Sequence, residues 1–205
     1  MKRSKTSKSW MKEHINDTYV KQAKSLGYRS RAAFKLIEAN EKYHFLKKNI
    51  DTLDLGCAPG SWSQVLSNLG NEKGRIFALD ILSMDPIKGV NFIEGDFREQ
   101  ETLEVLQKKL NKKLLDLVIS DMAPNISGVK ASDQASIIYL NELALQFARD
   151  WLKPKGNFLV KSFVGADFDE FVKNVKKSFE AVSTFKPKSS RTRSSEIFVY
   201  GKFKI

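Results

Sequence analysis

The chain alternates between two kinds of apolar spacing. Short runs, Thr52–Leu55, Arg75–Asp80, Asn91–Glu94, Leu115–Ser120, Asn157–Ser162, Ala181–Phe185 and Ile197–Phe203, have the length and the β-branched and aromatic content of strands. Longer segments, Ser61–Leu69, Glu99–Leu110, Gln134–Trp151 and Asp167–Phe179, carry apolar residues at helical intervals. An earlier helix is predicted over Arg31–Tyr43. There Ala32, Phe34, Leu36, Ile37 and Ala39 recur at roughly that spacing, and Ser30 stands where a cap belongs. Residues 1–29 read as a basic arm. Strands that alternate with helices predict an α/β fold with a mostly parallel sheet covered on both faces. Only the turn 186–195 separates the last two strands, so the final strand is expected to run antiparallel. The expectation is a Rossmann-like, seven-stranded sheet in a single domain spanning residues 1–205.

The first strand runs into Asp54-Leu55-Gly56-Cys57-Ala58-Pro59-Gly60-Ser61-Trp62 and then into a helix. Glycines at such a strand-to-helix turn tolerate positive φ and let a ligand approach the backbone. Asp54, just before the turn, can accept hydrogen bonds from a cationic ligand group. A dinucleotide fingerprint would read G-x-G-x-x-G and bring pyrophosphate to the helix N-terminus. Here the glycines are spaced G-x-x-x-G, and Pro59 removes an N–H that a phosphate would use. The loop therefore suits a nucleoside cofactor with an amine and little phosphate, S-adenosylmethionine rather than NAD. Seven strands with a terminal hairpin likewise match a Rossmann-like methyltransferase sheet better than a dehydrogenase.

Charge changes the picture next. The net charge is +11, which points to a polyanionic partner. Residues 1–31 hold nine cations (Lys2, Arg3, Lys5, Lys8, Lys12, Lys21, Lys24, Arg29 and Arg31) against two acids. Lys186, Lys188, Arg191 and Arg193 form a second cluster. Ser, Tyr and Trp interleaved with the cations, as at Ser9-Trp10 and Tyr28-Arg29-Ser30, favour RNA over lipid. The single Cys57 excludes an intrachain disulfide framework, and no His/Cys cluster suits zinc. No apolar run approaches the roughly 20 residues of a membrane span, and no signal-peptide apolar region follows the first lysines. The basic start could pass for a transit peptide, against which Glu13 and Asp17 stand.

Open α/β sheets bind ligands beyond the carboxyl ends of their strands. Asp54, Gly56, Asp80, Asp96, Asp121 and Lys161 all fall at or near such ends, and Glu196 precedes the last strand. Asp80 is placed to take ribose hydroxyls and Asp96 to meet an adenine amino group. The strand-four loop, Asp121-Met122-Ala123-Pro124, lacks the aromatic that base N-methyltransferases stack on a flipped base. The only thiol lies in the cofactor loop, which argues against a cytosine C5 enzyme.

Ser9-Trp10, Tyr28 through Leu36, the Asp54–Trp62 loop, Asp121–Pro124, Phe158–Lys161 and Arg191–Glu196 together resemble the FtsJ-type RNA ribose 2′-O-methyltransferases, over nearly the whole chain. The resemblance implies transfer of methyl from S-adenosylmethionine to a ribose 2′-hydroxyl, without a metal, on a uridine of large-subunit ribosomal RNA. The substrate would be the large subunit or its precursor, and the enzyme a cytoplasmic monomer with no membrane attachment. A tRNA or mRNA-cap ribose methyltransferase, and an inactive RNA-binding relative, are the alternatives. The family's catalytic tetrad falls on Lys35, Asp121, Lys161 and Glu196. Its cofactor positions fall on Gly60, Trp62, Asp80, Asp96 and Asp121. Ser61 departs from the pattern, standing where relatives often have a second glycine. In this scheme Lys161 serves as base or alkoxide stabiliser, oriented by Asp121 and fixed from the other side by Glu196, while Lys35 holds the substrate ribose or phosphate.

Overall fold

The structure is a computed structural model that describes residues 17–70 and 73–205. Seven strands form one sheet: β1 (Thr52–Leu55), β2 (Ile76–Asp80), β3 (Val90–Glu94), β4 (Leu115–Ser120), β5 (Leu152–Phe163), β6 (Phe179–Phe185) and β7 (Glu196–Lys204). Their order is β3-β2-β1-β4-β5-β7-β6. β3 through β5 pair in parallel, and β7 runs antiparallel to both of its neighbours, β5 and β6, as the missing crossover helix required. The order reverses at β1 and β4, the crevice where ligands settle in such sheets.

Six helices flank the sheet among the described residues: α1 (Thr18–Ser25), α2 (Ala32–Tyr43), α3 (Ser61–Asn68), α4 (Gln100–Leu110), α5 (Lys130–Trp151) and α6 (Phe168–Lys176). Side chains alternate across a strand, so each strand feeds two cores. Leu53, Leu55, Phe77, Val118, Phe158 and Val160 face α4, α5 and α6, meeting Leu106, Leu145 and Phe171. Ile76, Leu117, Ile119, Leu159, Phe198 and Tyr200 face α2 and α3, meeting Leu36, Trp62 and Leu66. The same alternation puts Lys161 two residues beyond Leu159 and Glu196 two residues before Phe198, both on the α2 side.

Four differences from the sequence reading exceed one residue. The basic arm is not irregular to residue 29: Asp17 caps α1, its Oδ1 accepting the Tyr19 and Val20 N–H groups at 2.9 and 3.3 Å. Tyr19 and Tyr28 then pack on Phe34 at 5.5 and 5.8 Å between ring centroids. Residues 1–16 of the arm, including Ser9-Trp10, lie outside the described residues. β5 starts five residues early, because Pro154 and Gly156 mark a bulge rather than a turn. Leu152 pairs with Leu115, Asn157 resumes opposite Leu117, and Lys155 takes φ 65° between them. α5 opens four residues early with a polar, exposed turn that has no apolar period to announce it. Phe179, expected to end a helix, opens β6 and stacks on Phe158 at 5.9 Å.

Candidate active site

The turn after β1 is built around close approach. Gly56 has φ +72°, and a Cβ there would lie 2.7 Å from the Met122 Cα, so the β1 and β4 loops touch through a position with no side chain. Gly60 caps α3 at φ 104°, where a Cβ would strike Met84 and Arg29. Asp80, at the end of β2, holds this turn from the side. Its Oδ2 accepts the Ala58 N–H at 2.8 Å and its Oδ1 the Leu82 N–H at 2.9 Å.

A cleft of about 490 Å³ opens over these strand ends, within the ~300–1,000 Å³ typical of small-molecule sites. Gly56, Asp80, Asp96 and Asp121 line it, together with Arg98, Met122 and Tyr139. The first four were expected. Arg98 and Tyr139 were not, although Arg98 lies only two residues past Asp96. Its guanidinium grips the Asp96 carboxylate at 2.9 and 3.0 Å from Nε and holds that carboxyl below the usual range. Tyr139 comes from the middle of α5, where nothing local marks a residue for a ligand.

Three expected cofactor residues do not line the cleft. Trp62 is in the core, its Nε1–H donating to the Ala32 carbonyl at 2.8 Å. Gly60 lies under the Arg29 side chain, which donates to the Pro59 and Asp85 carbonyls at 2.8 and 2.7 Å. Asp54 is fully buried, with Oδ2 accepting from Ser63 Oγ–H at 2.7 Å and Oδ1 left without a partner. Burial first, and then the nearby Asp121 and Asp80 carboxylates, push the Asp54 carboxyl up to about 7 against the Ser63 hydrogen bond. The Cys57 thiol is likewise raised by burial, which makes it a poor nucleophile.

Beside the cleft, β5 and β7 bring the other expected group together. Because β7 is antiparallel, its first residue falls at the end of β5, with Glu196 opposite Phe163. Lys161 and Glu196 are 7% and 8% exposed. Lys161 Nζ donates to the Asp121 carbonyl at 2.6 Å and lies 2.9 Å from Asp121 Oδ1. Lys35 Nζ, from α2, donates to Glu196 Oε2 at 2.7 Å and stands 4.0 Å from Asp121 Oδ1. The four form a chain, Glu196–Lys35–Asp121–Lys161. This corrects one expectation: Glu196 pairs with Lys35, not Lys161, and Lys161 is held by Asp121 from both its backbone and its carboxylate.

Several cations of the described residues have partners within the chain. Arg29 is committed to loop carbonyls, and Arg31 to Asp17, the Ser189 carbonyl and the Tyr19 ring. Lys186 donates to the Thr192 and Ser194 carbonyls at 3.2 and 2.5 Å yet stays exposed, as do Lys21, Lys24 and Lys188. Among the described residues no helix is long and apolar enough to cross a membrane.

The family described as FtsJ-like methyltransferase matches residues 28–204. The protein named Ribosomal RNA large subunit methyltransferase E of Methylobacillus flagellatus is 59% identical over 201 residues, which cover 98% of this chain and 97% of that one. Its namesake in Chromobacterium violaceum is 55% identical and covers 98% of each chain. A solved Plasmodium falciparum structure described as a ribosomal RNA methyltransferase superposes with TM-score 0.76 at 36% identity, covering 86% of this chain and 98% of that one. Aeropyrum pernix fibrillarin, solved with S-adenosyl-L-methionine, shares the fold at TM-score 0.57 and 16% identity, covering 82% of this chain and 75% of its own.

Proposed function

The chain belongs to the FtsJ-like methyltransferase family, and from that premise we propose that it moves a methyl group from S-adenosylmethionine to the 2′-hydroxyl of a uridine ribose in large-subunit ribosomal RNA. The observation that carries this reading is the chain of alternating charges Glu196–Lys35–Asp121–Lys161 at the edge of the cleft. The names of the relatives support the ribosomal substrate, and the net charge of +11 supports a nucleic acid.

The cleft fits the cofactor. Asp80 and Asp96 end one strand and follow the next, and both line the cleft, as a ribose and an adenine edge in succession require. Gly56 keeps the floor free of a side chain. When bound, S-adenosylmethionine supplies a methyl already activated on a sulfonium, so the protein has to align the acceptor and manage one proton.

Lys161 is the group for that proton. Its Nζ donates to the Asp121 carbonyl and sits against the Asp121 carboxylate. There it would meet the ribose 2′-oxygen, as a lone pair that takes the proton or as an N–H that steadies the forming alkoxide. Asp121 fixes Lys161 and lines the cleft, so it ties the acceptor to the methyl donor. Lys35, held by Glu196, presents positive charge to the ribose or its phosphate. Lys21, Lys24 and the turn 186–195 would carry flanking phosphates, and the cations of residues 1–16 would add to the attraction for RNA. The enzyme would act as a cytoplasmic monomer of one domain, residues 1–205.

Two measurements test this reading. Calorimetry should give S-adenosylmethionine binding without added metal. Mass mapping of 2′-O-methyl sites in RNA from cells with and without the gene should lose one large-subunit site. Binding of NAD in place of S-adenosylmethionine, or an unchanged methylation map, would sink it.

A further inference from the structure

Helix α2 and its N-cap residue present Arg31, Lys35 and Glu38 at spacings of four and three residues, which puts them on one face. Arg31 and Glu38 grip the turn between β6 and β7, and Lys35 the first residue of β7. Arg31 donates to the Ser189 carbonyl. Lys35 takes Glu196 Oε2 at 2.7 Å. Glu38 accepts the backbone N–H groups of Lys188 and Ser189 at 2.6 and 3.0 Å. Between the outer grips, Ser190 donates its hydroxyl to Glu196 Oε1 at 2.6 Å, in a site where both residues are buried. Each Glu196 oxygen is therefore assigned, Oε1 to Ser190 and Oε2 to Lys35.

We propose that Ser190 is a positioning residue for the tetrad, and that Glu38 sets Ser190 by pinning the turn that carries it. Without the Ser190 hydroxyl, Glu196 can rotate, and the seat of the Lys35 ammonium between Glu196 and Asp121 is no longer fixed. The turn bearing Lys188, Arg191 and Arg193 thereby shares a frame with the reacting groups. RNA phosphates docked there would be held at a set distance from Lys161. This inference rests on the methyltransferase reading above.

The test is a double-mutant cycle of Ser190→Ala with Glu196→Ala, read as single-turnover methyl transfer to large-subunit RNA. Ser190→Ala alone should slow transfer about tenfold, the scale of one hydrogen bond to a charged group. S-adenosylmethionine affinity should be unchanged. In the Glu196→Ala background the Ser190→Ala effect should vanish, because Ser190 acts through Glu196. Ser190→Thr, which keeps the hydroxyl, should restore the rate. A full Ser190→Ala loss persisting without Glu196 would overturn the proposal, as would a Ser190→Ala rate equal to wild type. Should Ser190→Ala not fold, Glu38→Gln reads the same turn: it leaves one acceptor for two N–H groups, and its smaller loss should also vanish with Glu196→Ala. Carbon NMR of the Glu196 carboxyl gives a readout that needs no turnover. Its resonance should move in Ser190→Ala, and an unmoved resonance would overturn the assignment. A wild-type protein that transfers no methyl would instead defeat the methyltransferase reading.

Discussion

The two halves of the strand-end surface are built differently. On the β1–β3 side, carboxylates are held by backbone and by near neighbours: Asp80 by the Ala58 and Leu82 N–H groups, Asp96 by Arg98 two residues on. On the β4–β7 side, charged side chains pair with one another across the chain, Lys35 with Glu196 over 161 residues and Lys161 with Asp121 over 40. The first arrangement leaves carboxylates lining an open cleft, ready for a ligand. The second pairs each charge, with Lys161 and Glu196 buried and Lys35 and Asp121 partly so, which fixes geometry at the cost of desolvation. The proposed cofactor cleft can thus be assembled from β1 to α5, whereas the full chain Glu196–Lys35–Asp121–Lys161 exists only once β7 is in place.

The largest effect should come from cutting the second half alone. Lys161→Ala should lower single-turnover transfer by about 10²–10⁴-fold, the usual contribution of a general acid or base, while calorimetric S-adenosylmethionine binding is retained. Loss of cofactor binding as well would mean the halves are not separable. The converse cut is Asp80→Asn. It removes the charge beside the Ala58 and Leu82 N–H groups and should weaken S-adenosylmethionine binding by about 10–100-fold, with the rate from the saturated complex much less affected.

Asp54 gives a subtler test. Its carboxyl titrates at about 7 in the folded chain against an ordinary 3.8. Between those values the folded state holds more protons than the unfolded state, so this group's contribution to stability falls as pH rises. Asp54→Asn should flatten that fall, measured as denaturant midpoints at about pH 5 and about pH 8. An unchanged pH dependence would show that the carboxylate is better solvated than its burial implies. The smallest effect belongs to the surface. Removing one phosphate-binding cation, as in Lys21→Ala or Lys24→Ala, should lower the magnitude of the log-affinity versus log-salt slope by about 0.7–0.9, with cofactor affinity unchanged. An unaltered slope in both variants would place the RNA elsewhere on the molecule.

The same division governs what could be read in the sequence. The strand-turn-helix at Asp54–Trp62 was legible because its parts are consecutive, and so were the acids at strand ends. The antiparallel β7 followed from a missing crossover. Which side chain would pair with which was not legible. Lys35 and Lys161 are both lysines, and only the β5–β7 register and the packing of α2 against the sheet decide that Glu196 takes Lys35. Trp62 and Gly60 lie in the motif, yet the Trp62 indole is packed in the core and Gly60 lies under Arg29, and a motif residue reads the same in sequence either way. Arg98 and Ser190 were missed for opposite reasons. Arg98 sits so close to Asp96 that it reads as a surface cation, and Ser190 is one of several serines in a basic turn. The Arg31, Lys35, Glu38 spacing was a usable signal for the latter, since three charged residues on one face of a half-buried helix need partners.

The sheet order bears on how the molecule comes into being. β7, late in the chain, is slotted between β5 and β6 rather than added at an edge. While a ribosome is still extending the polypeptide, β6 has been made but cannot join the sheet, because its only neighbour does not yet exist. The cofactor cleft, whose lining residues end at Leu140, can form before that moment. The Lys35–Glu196 pair cannot. A nascent chain would thus be able to acquire the methyl donor before it could use it, and the stroke that seats β7 would both finish the fold and switch the enzyme on.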